Sequence, residues 1–447
     1  MNYADAVRYL LSLGRELAAP TQAAAAKFDL ENITRLAERL GRPDRAYPSA
    51  HIAGTNGKGS TAAFLEAILR RAGLRTGLYT SPHLEKINER IRLSGEELCD
   101  EAFAAAFTRL YPLIEELLAS GRLRAHPTYF ECLTAMALEV FAREHVEFAV
   151  FETGLGGRLD ATNILTPAVA LVTRIDFDHE NYLGHSLAEI AAEKAGILKA
   201  GVPVVVAPQP PEARAVILRR AGELGCPVVE TAEAFHVERE WLENGRARAL
   251  VTETASGGKF EMAPRLPGRF QLQNALSAVA AARLLQARGL RIPDEALAGG
   301  IAAAQWPGRL EQLQSRPDVY LDGAHNPGAA RELAAFWEEN FAGRRIWLVY
   351  GALRDKAVDE IAGLLFPRAA HVLLTEPRTA RALSARRLAE LTAHHAAEVQ
   401  VVPDAEAALE RALAGAAPED AVFLTGSLYL VGQIRQFWKN RADVAVR

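Results

Sequence analysis

The chain is poor in cysteine: Cys99, Cys132 and Cys226 are the only three among 447 residues, far apart and without CxxC spacing. That excludes a disulfide framework and a thiolate zinc site and fits a reduced compartment. Cys132 and Cys226 lie in apolar stretches and read as small buried thiols rather than nucleophiles. Positive charge is also in short supply. With 51 Lys and Arg against 55 Asp and Glu the formal net charge is -4, so no overall basic field draws nucleic acid and any phosphate binding must be local. No apolar run approaches the ~18 residues of a membrane span. Met1-Asn2-Tyr3-Ala4-Asp5 has no basic region leading into an apolar one, so the expectation is a cytoplasmic protein away from membranes. Neither an internal repeat nor a low-complexity tail is visible.

What is there is an ordinary globular composition, 49% hydrophobic and 24% charged. The length exceeds what one hydrophobic core usually supports, so at least two domains are expected. Short β-branched runs alternate with longer Ala/Leu/Glu-rich segments of helical period, the pattern of an α/β chain with a parallel sheet wrapped by helices. Candidate strands cover residues 49–53, 76–80, 148–152, 168–173 and 202–207. Residues 230–264 are alternating and charge-rich, which predicts a small antiparallel excursion. Residues 274–286 form a strong helical pattern, and residues 299–307 supply Gly, Trp and Pro for a linker. A second, Rossmann-like α/β series follows, with strands at 319–321, 346–350, 371–375 and 422–425. The expected domains are therefore residues 1–302 and 303–447.

Between the first predicted strand and a predicted helix at 62–72 lies Gly54-Thr55-Asn56-Gly57-Lys58-Gly59-Ser60-Thr61. Glycines let backbone amides turn toward an anion, the helix N-terminus adds partial positive charge, and Lys58 can reach outer phosphates. The match to GxxxxGK[ST] is imperfect, because Ile52 holds the first Gly position and Gly59 separates Lys58 from Ser60. A plain strand-to-helix turn is the alternative. As it stands, the segment resembles the phosphate loop of the Mur ligase superfamily, specifically its folylpolyglutamate synthase branch with the bifunctional dihydrofolate synthases.

Further motifs in the same order carry that resemblance from about residue 30 to residue 436. Thr80-Ser81-Pro82-His83-Leu84 resembles the family's Ser-Pro-His segment; it implies Ser81 as a Mg²⁺ ligand and His83 as a residue steadying phosphate or glutamate. Pro127-Thr128-Tyr129-Phe130-Glu131 resembles the segment lining the pterin site, although Thr128 and Glu131 also have capping-box spacing. Glu152, leaving a predicted strand into a Gly-rich loop, is implied as a Mg²⁺ ligand, a role that suits a hard cation. Leu159, Asp160 and Ala161 are implied against the pterin. Asp176-Phe177-Asp178-His179 implies His179 at a second Mg²⁺ site, and Glu193-Lys194-Ala195-Gly196-Ile197 implies a carbamylated Lys194. Gln271, Asn274, Arg309, Asp322 and His325 fall in segments implied to hold ATP across an interdomain cleft. Two departures are visible: Arg174-Ile175-Asp176 adds charge before Asp178, and Phe270 stands where the family often has histidine.

The resemblance implies an ATP-dependent amide ligase that joins L-glutamate to dihydropteroate, to tetrahydrofolate, or to both, through an acyl phosphate, with a monomer as the expected form and no nucleic-acid or membrane partner. Bifunctionality is the favoured expectation and a monofunctional synthase the alternative. Ser427 is a candidate for glutamate binding by the second domain. A muropeptide ligase would need a nucleotide domain ahead of the phosphate loop, where only about 50 residues stand. A P-loop kinase or switch would leave Asp322-Gly323-Ala324-His325-Asn326-Pro327 without a role.

Overall fold

The computed structural model describes residues 1–14, 29–395 and 398–445. The first sheet has eight strands in the order β4-β3-β2-β5-β1-β6-β7-β8, where β1 is Ser49–Ala53, β2 Thr76–Tyr79, β3 Ile91–Leu93, β4 Glu96–Glu97, β5 Phe148–Glu152, β6 Val169–Val172, β7 Val204–Val206 and β8 Val228–Glu230. From β2 to β8 all pairings are parallel, whereas β3 and β4 fold back antiparallel at one edge. β1 and β5 are buried along their whole length, as expected for central parallel strands covered on both faces.

One face is covered by helix Lys58–Arg71, on which helices Phe270–Ala287 and Asp294–Ala303 pack. The expected linker at 299–307 is corrected here, because its first part belongs to helix Asp294–Ala303. Gly299 and Gly300 are helical for a packing reason: a Cβ on Gly300 would stand 2.5 Å from Ile68 Cα, and one on Gly299 would overlap the Arg71 side chain. The other face carries Tyr3–Ser12, Glu31–Arg39, Asp100–Ala119 and Tyr129–Arg143 around a core that includes Phe103, Phe107, Phe141 and Phe151.

The charge-rich stretch forms an antiparallel sheet of β9 (Phe235–Glu243), β10 (Arg246–Glu253) and β11 (Lys259–Met262). Its first hairpin turns at Asn244-Gly245, both with positive φ (52° and 71°), the backbone that a tight hairpin of matching twist requires.

The second sheet has the order β12-β13-β17-β14-β15-β16, with β12 Glu311–Gln314, β13 Asp318–Leu321, β14 Ile346–Tyr350, β15 His371–Glu376, β16 Gln400–Asp404 and β17 Ala421–Thr425. Only β12 runs antiparallel. Residues at the carboxyl ends of β1, β5 and β13 line one shared cleft, as open α/β sheets usually arrange their sites. Among the described residues no helix is long and apolar enough to cross a membrane.

Candidate active site

A cavity of about 1040 Å³ runs between the two sheets, lined by residues 54–60, Ser81, Phe130, Glu152, Lys194, Arg309 and Lys356 among others. The loop after β1 turns on Gly54 (φ 152°) and Gly57 (φ 87°). Their side-chain-free backbones are required by close neighbours, since a Cβ on Gly54 would overlap Thr173 and one on Gly57 would overlap Asn274 Oδ1. Lys58 then begins helix Lys58–Arg71, whose first turn has neither a side-chain cap nor an acidic residue. Uncapped amides beside a lysine make an anion cradle. Lys58 Nζ rests on the carbonyls of Gly54 (3.1 Å) and Thr55 (3.3 Å).

Not every loop residue faces the cavity in the expected way. The amides of Thr55 and Asn56 donate to Arg174 O, Thr55 Oγ1 donates to Asp176 O, and the Asn56 side chain pairs with Asn326. These groups anchor the loop. Thr61 is fully buried, its hydroxyl has no hydrogen-bond partner among the described residues, and it is not among the residues lining the cavity; helix periodicity turns its side chain inward.

Glu152 ends β5, almost fully buried, and accepts a hydrogen bond from Ser81 N at 3.2 Å. Burial raises its pKa, opposed by the charge of Lys58, the Ser81 amide and the charges of Arg309 and Arg90. A buried carboxylate and a hydroxyl-bearing residue beside a lysine at the cavity wall are a hard oxygen donor set that fits Mg²⁺. His83, expected at phosphate or glutamate, accepts at Nδ1 from Arg90 Nε at 2.9 Å and is not among the residues lining the cavity.

The second group is centred on Asp178, His179 and Lys194. His179 sits in the left-handed region (φ 53°) and burial pushes its pKa down to about 3, leaving a neutral imidazole suited to a metal. Asp178 is held ionised, well below the usual carboxylate range; burial alone would raise it, and Lys356 and His325 overcome that effect. Lys356 Nζ is 2.6 Å from Asp178 Oδ1. Lys194, the last residue of helix Leu187–Lys194, donates to Gly54 O at 2.7 Å. Burial, then the neighbouring charge of Lys58, lowers its pKa to about 7.

On the pterin-expected side, Thr128 and Glu131 form a capping box: Thr128 N donates to Glu131 Oε2 at 2.7 Å and Glu131 N to Thr128 Oγ1 at 3.2 Å. One carboxylate oxygen is thus spent on its own helix, which limits the expected contact of Glu131 with a ring edge. Tyr129 is buried under the Arg90 guanidinium, 5.4 Å from the ring centroid. Phe130 presents its ring to Gly154 and Tyr79. Asp160 is committed too, accepting from the amides of Gly154, Leu155 and Thr162 and from the Thr162 hydroxyl. Leu159, Asp160 and Ala161 all line the cavity, so these bonds fix the Asp160 carboxylate at its wall.

On the nucleotide-expected side, Asn274 Nδ2 donates to Gln271 Oε1 at 3.0 Å. Arg309 and His325 line the cavity with Phe270. Buried Asp322 accepts from Leu310 N and Ala324 N, both at 2.9 Å, and so shapes its loop. Sequence reading missed Lys356 and Arg381 as cleft groups. The signal for Lys356 was its place in the loop after β14, at the carboxyl end of a strand. Ser427 does reach the cavity wall.

Residues 52–282 match the family described as the Mur ligase middle domain and residues 308–428 the Mur ligase glutamate ligase domain. The dihydrofolate synthase/folylpolyglutamate synthase of Bacillus subtilis is 37% identical over 92% of this chain and 95% of its own length. Among solved structures, Mycobacterium tuberculosis folylpolyglutamate synthase complexed with ADP and AMPPCP superposes with a TM-score of 0.86 at 33% identity, covering 92% of this chain and 95% of that one. The E. coli FolC structure in complex with DHPP and ADP gives 0.84 at 30% identity, covering 99% of both. With a phosphate cradle beside a buried carboxylate in one cavity, and with sequence and fold shared over nearly its whole length with these enzymes, this chain belongs to the Mur ligase family, in its dihydrofolate synthase/folylpolyglutamate synthase branch, and is an ATP-dependent ligase.

Proposed function

We propose that the protein joins L-glutamate to the carboxylate of dihydropteroate and of tetrahydrofolate, with ATP converting that carboxylate to an acyl phosphate. The observation that carries this reading is the single cavity in which Lys58, Ser81 and Glu152 stand between the apolar wall of Phe130, Leu159 and Ala161 and the second-domain groups Arg309, Lys356 and Ser427. The names of the relatives, bifunctional in part, support both substrates.

In this reading the cavity holds the acceptor carboxylate against the γ-phosphate, and Lys58 neutralises charge that builds on the transferred group. ADP leaves the acyl phosphate behind. The amine of glutamate then attacks the acyl carbon, and the tetrahedral intermediate collapses to the amide with loss of phosphate and a proton. Ser81 and Glu152 would hold one Mg²⁺ and His179 a second; when bound, Mg²⁺ offsets negative charge on the phosphates. Burial of Lys194 keeps a large neutral fraction of its amine, the form that adds CO₂ to become a carbamate. Closure of the cleft excludes water from the acyl phosphate. Asn274, Asp322 and His325 are assigned to the ATP side. The two domains are read as residues 1–302 and 303–447, and the protein as a cytoplasmic monomer.

Phosphate release from ATP with Mg²⁺ and glutamate, measured with dihydropteroate and tetrahydrofolate in separate reactions, tests the reading. Release with both is expected; release with one restricts the assignment to that step, and glutamate-independent release overturns it. Intact mass in bicarbonate checks Lys194: a CO₂ adduct lost in Lys194→Arg is expected, and a bare amine throughout removes the carbamate.

A further inference from the structure

β1 carries an imidazole, His51, with no solvent exposure at all. An apolar residue would fill this position without the cost of burying a polar ring, so its hydrogen bonding calls for explanation. His51 Nε2 lies 2.7 Å from Thr162 Oγ1, and Thr162 Oγ1 lies 2.5 Å from Asp160 Oδ1. Asp160 Oδ1 also takes Thr162 N at 3.0 Å, while Oδ2 takes Gly154 N at 2.8 Å and Leu155 N at 2.9 Å.

Hydrogen counting gives this chain a direction. The ionised carboxylate only accepts, so the one hydrogen of the Thr162 hydroxyl goes to Asp160. The contact with His51 is then an Nε2–H donated to Thr162 Oγ1. Consistent with that tautomer, His51 Nδ1 has no hydrogen-bond partner among the described residues. The imidazole thus decides which way the hydroxyl points. Were Nε2 to accept instead, the hydroxyl would turn toward the ring and Asp160 would lose one of its donors. At the far end, Asp160 pins the turn through which the chain leaves β5 after Glu152. Leu155 of that turn lines the cavity, and Gly154 lies so close to the Phe130 ring that a Cβ would stand 2.6 Å from its Cζ.

We propose that His51 is a positioning residue for the acceptor-substrate wall of the cavity, holding the Gly154-Leu155 turn in place through Thr162 and Asp160. This rests on the assignment of that wall to the pterin-bearing acceptor.

Three measurements test it. Selective ¹⁵N-histidine NMR of the intact protein is expected to show His51 protonated at Nε2 and bare at Nδ1; the opposite tautomer overturns the proposal. Amide hydrogen exchange at Gly154 and Leu155 is expected to quicken by about tenfold in His51→Leu and in the smaller change Thr162→Val, the factor that one buried hydrogen bond is worth. His51→Gln, whose amide nitrogen can reach the same oxygen, is expected to restore protection. Exchange that is unchanged in Thr162→Val, or no better in His51→Gln than in His51→Leu, overturns the network. Finally, KM for dihydropteroate is expected to rise by about tenfold in Thr162→Val while KM for ATP stays within about twofold. Faster exchange with an unmoved acceptor KM overturns the assignment of the wall to the acceptor while leaving the network intact. Faster exchange with KM for ATP rising equally overturns the specific positioning role.

Discussion

Asn56 and Asn326, 270 residues apart, exchange a reciprocal pair of amide hydrogen bonds: Asn56 Nδ2 donates to Asn326 Oδ1 at 3.2 Å and Asn326 Nδ2 to Asn56 Oδ1 at 2.9 Å. One belongs to the phosphate loop and the other begins helix Pro327–Asn340 of the second domain. The phosphate loop is therefore a domain contact as well as an anion cradle. Arg331 to Asp176 (2.8 Å) and Lys356 to Asp178 (2.6 Å) extend the same seam. Gly328 sits so close to Asp176 and Asn56 that a side chain there would overlap both.

Asn326→Ala removes the pair, a donor to Asp178 and the N-cap that accepts from Ala329 N. Stability is expected to fall by about 2 kcal/mol, the worth of a lost cap plus buried amides left unpaired. Urea denaturation measures this, and kcat for glutamate ligation is expected to fall with it. A variant as stable and active as the parent would show that the seam is not used.

Lys356→Met leaves the buried carboxylate of Asp178 without its closest cation. Because removing one partner of a buried pair strands the other charge, a loss of about 3 kcal/mol is expected. Asp178→Asn in the same chain is expected to recover part of that loss, so a double-mutant cycle read by denaturation gives a clear coupling. Additive losses would mean that the pair is not coupled.

Gly432 packs against the loop that carries Ser81, and a Cβ there would overlap Leu84 O. Nearby, Arg435 bridges Glu85 and Glu311. Gly432→Ala is expected to push the last helix off that loop, with a stability loss of about 2 kcal/mol from overpacking against backbone. A raised KM for ATP is expected alongside. Thermal denaturation and initial rates check both.

Burial, followed by the charge of Lys199, holds the His51 pKa near 3, below its ordinary 6.5. In that interval the unfolded chain binds a proton that the folded one refuses, so stability rises with pH. The contribution is complete above about 6.5 and is lost as pH falls toward 3, at roughly 1 kcal/mol per pH unit inside the window. His51→Gln is expected to show a shallower loss between pH 6.5 and 4.5 in urea titrations, and equal slopes would show that His51 does not titrate in this range.

The central strands were legible in sequence. Residues 49–53, 148–152 and 346–350 coincide with β1, β5 and β14, because a strand buried on both faces reads as a mostly apolar run. Edge strands were not: Glu311-Gln312-Leu313-Gln314 of β12 is polar, and pairing with β13 alone makes it a strand. Local chemistry likewise revealed the glycine turn before Lys58 and the Thr128–Glu131 cap, since both act over a few residues.

The candidate site divides the same way. That a glycine turn leads from a strand into a helix, and that Glu152 ends a strand, follows from periodicity and glycine placement within the segment, although the helix begins at Lys58 and not at the expected residue 62. What the carboxylates do was decided by tertiary structure: Asp160 and Asp322 turn inward to backbone amides, Asp178 takes Lys356 from 178 residues away, and His83 turns to Arg90. Sequence alone determined the α/β class, the anion cradle and the family resemblance, because those depend on patterns a few residues long. Only packing the two sheets across one cleft decided which charges meet, because a buried charge takes its partner from whatever the fold brings within about 3 Å, and that neighbour has no fixed spacing along the chain.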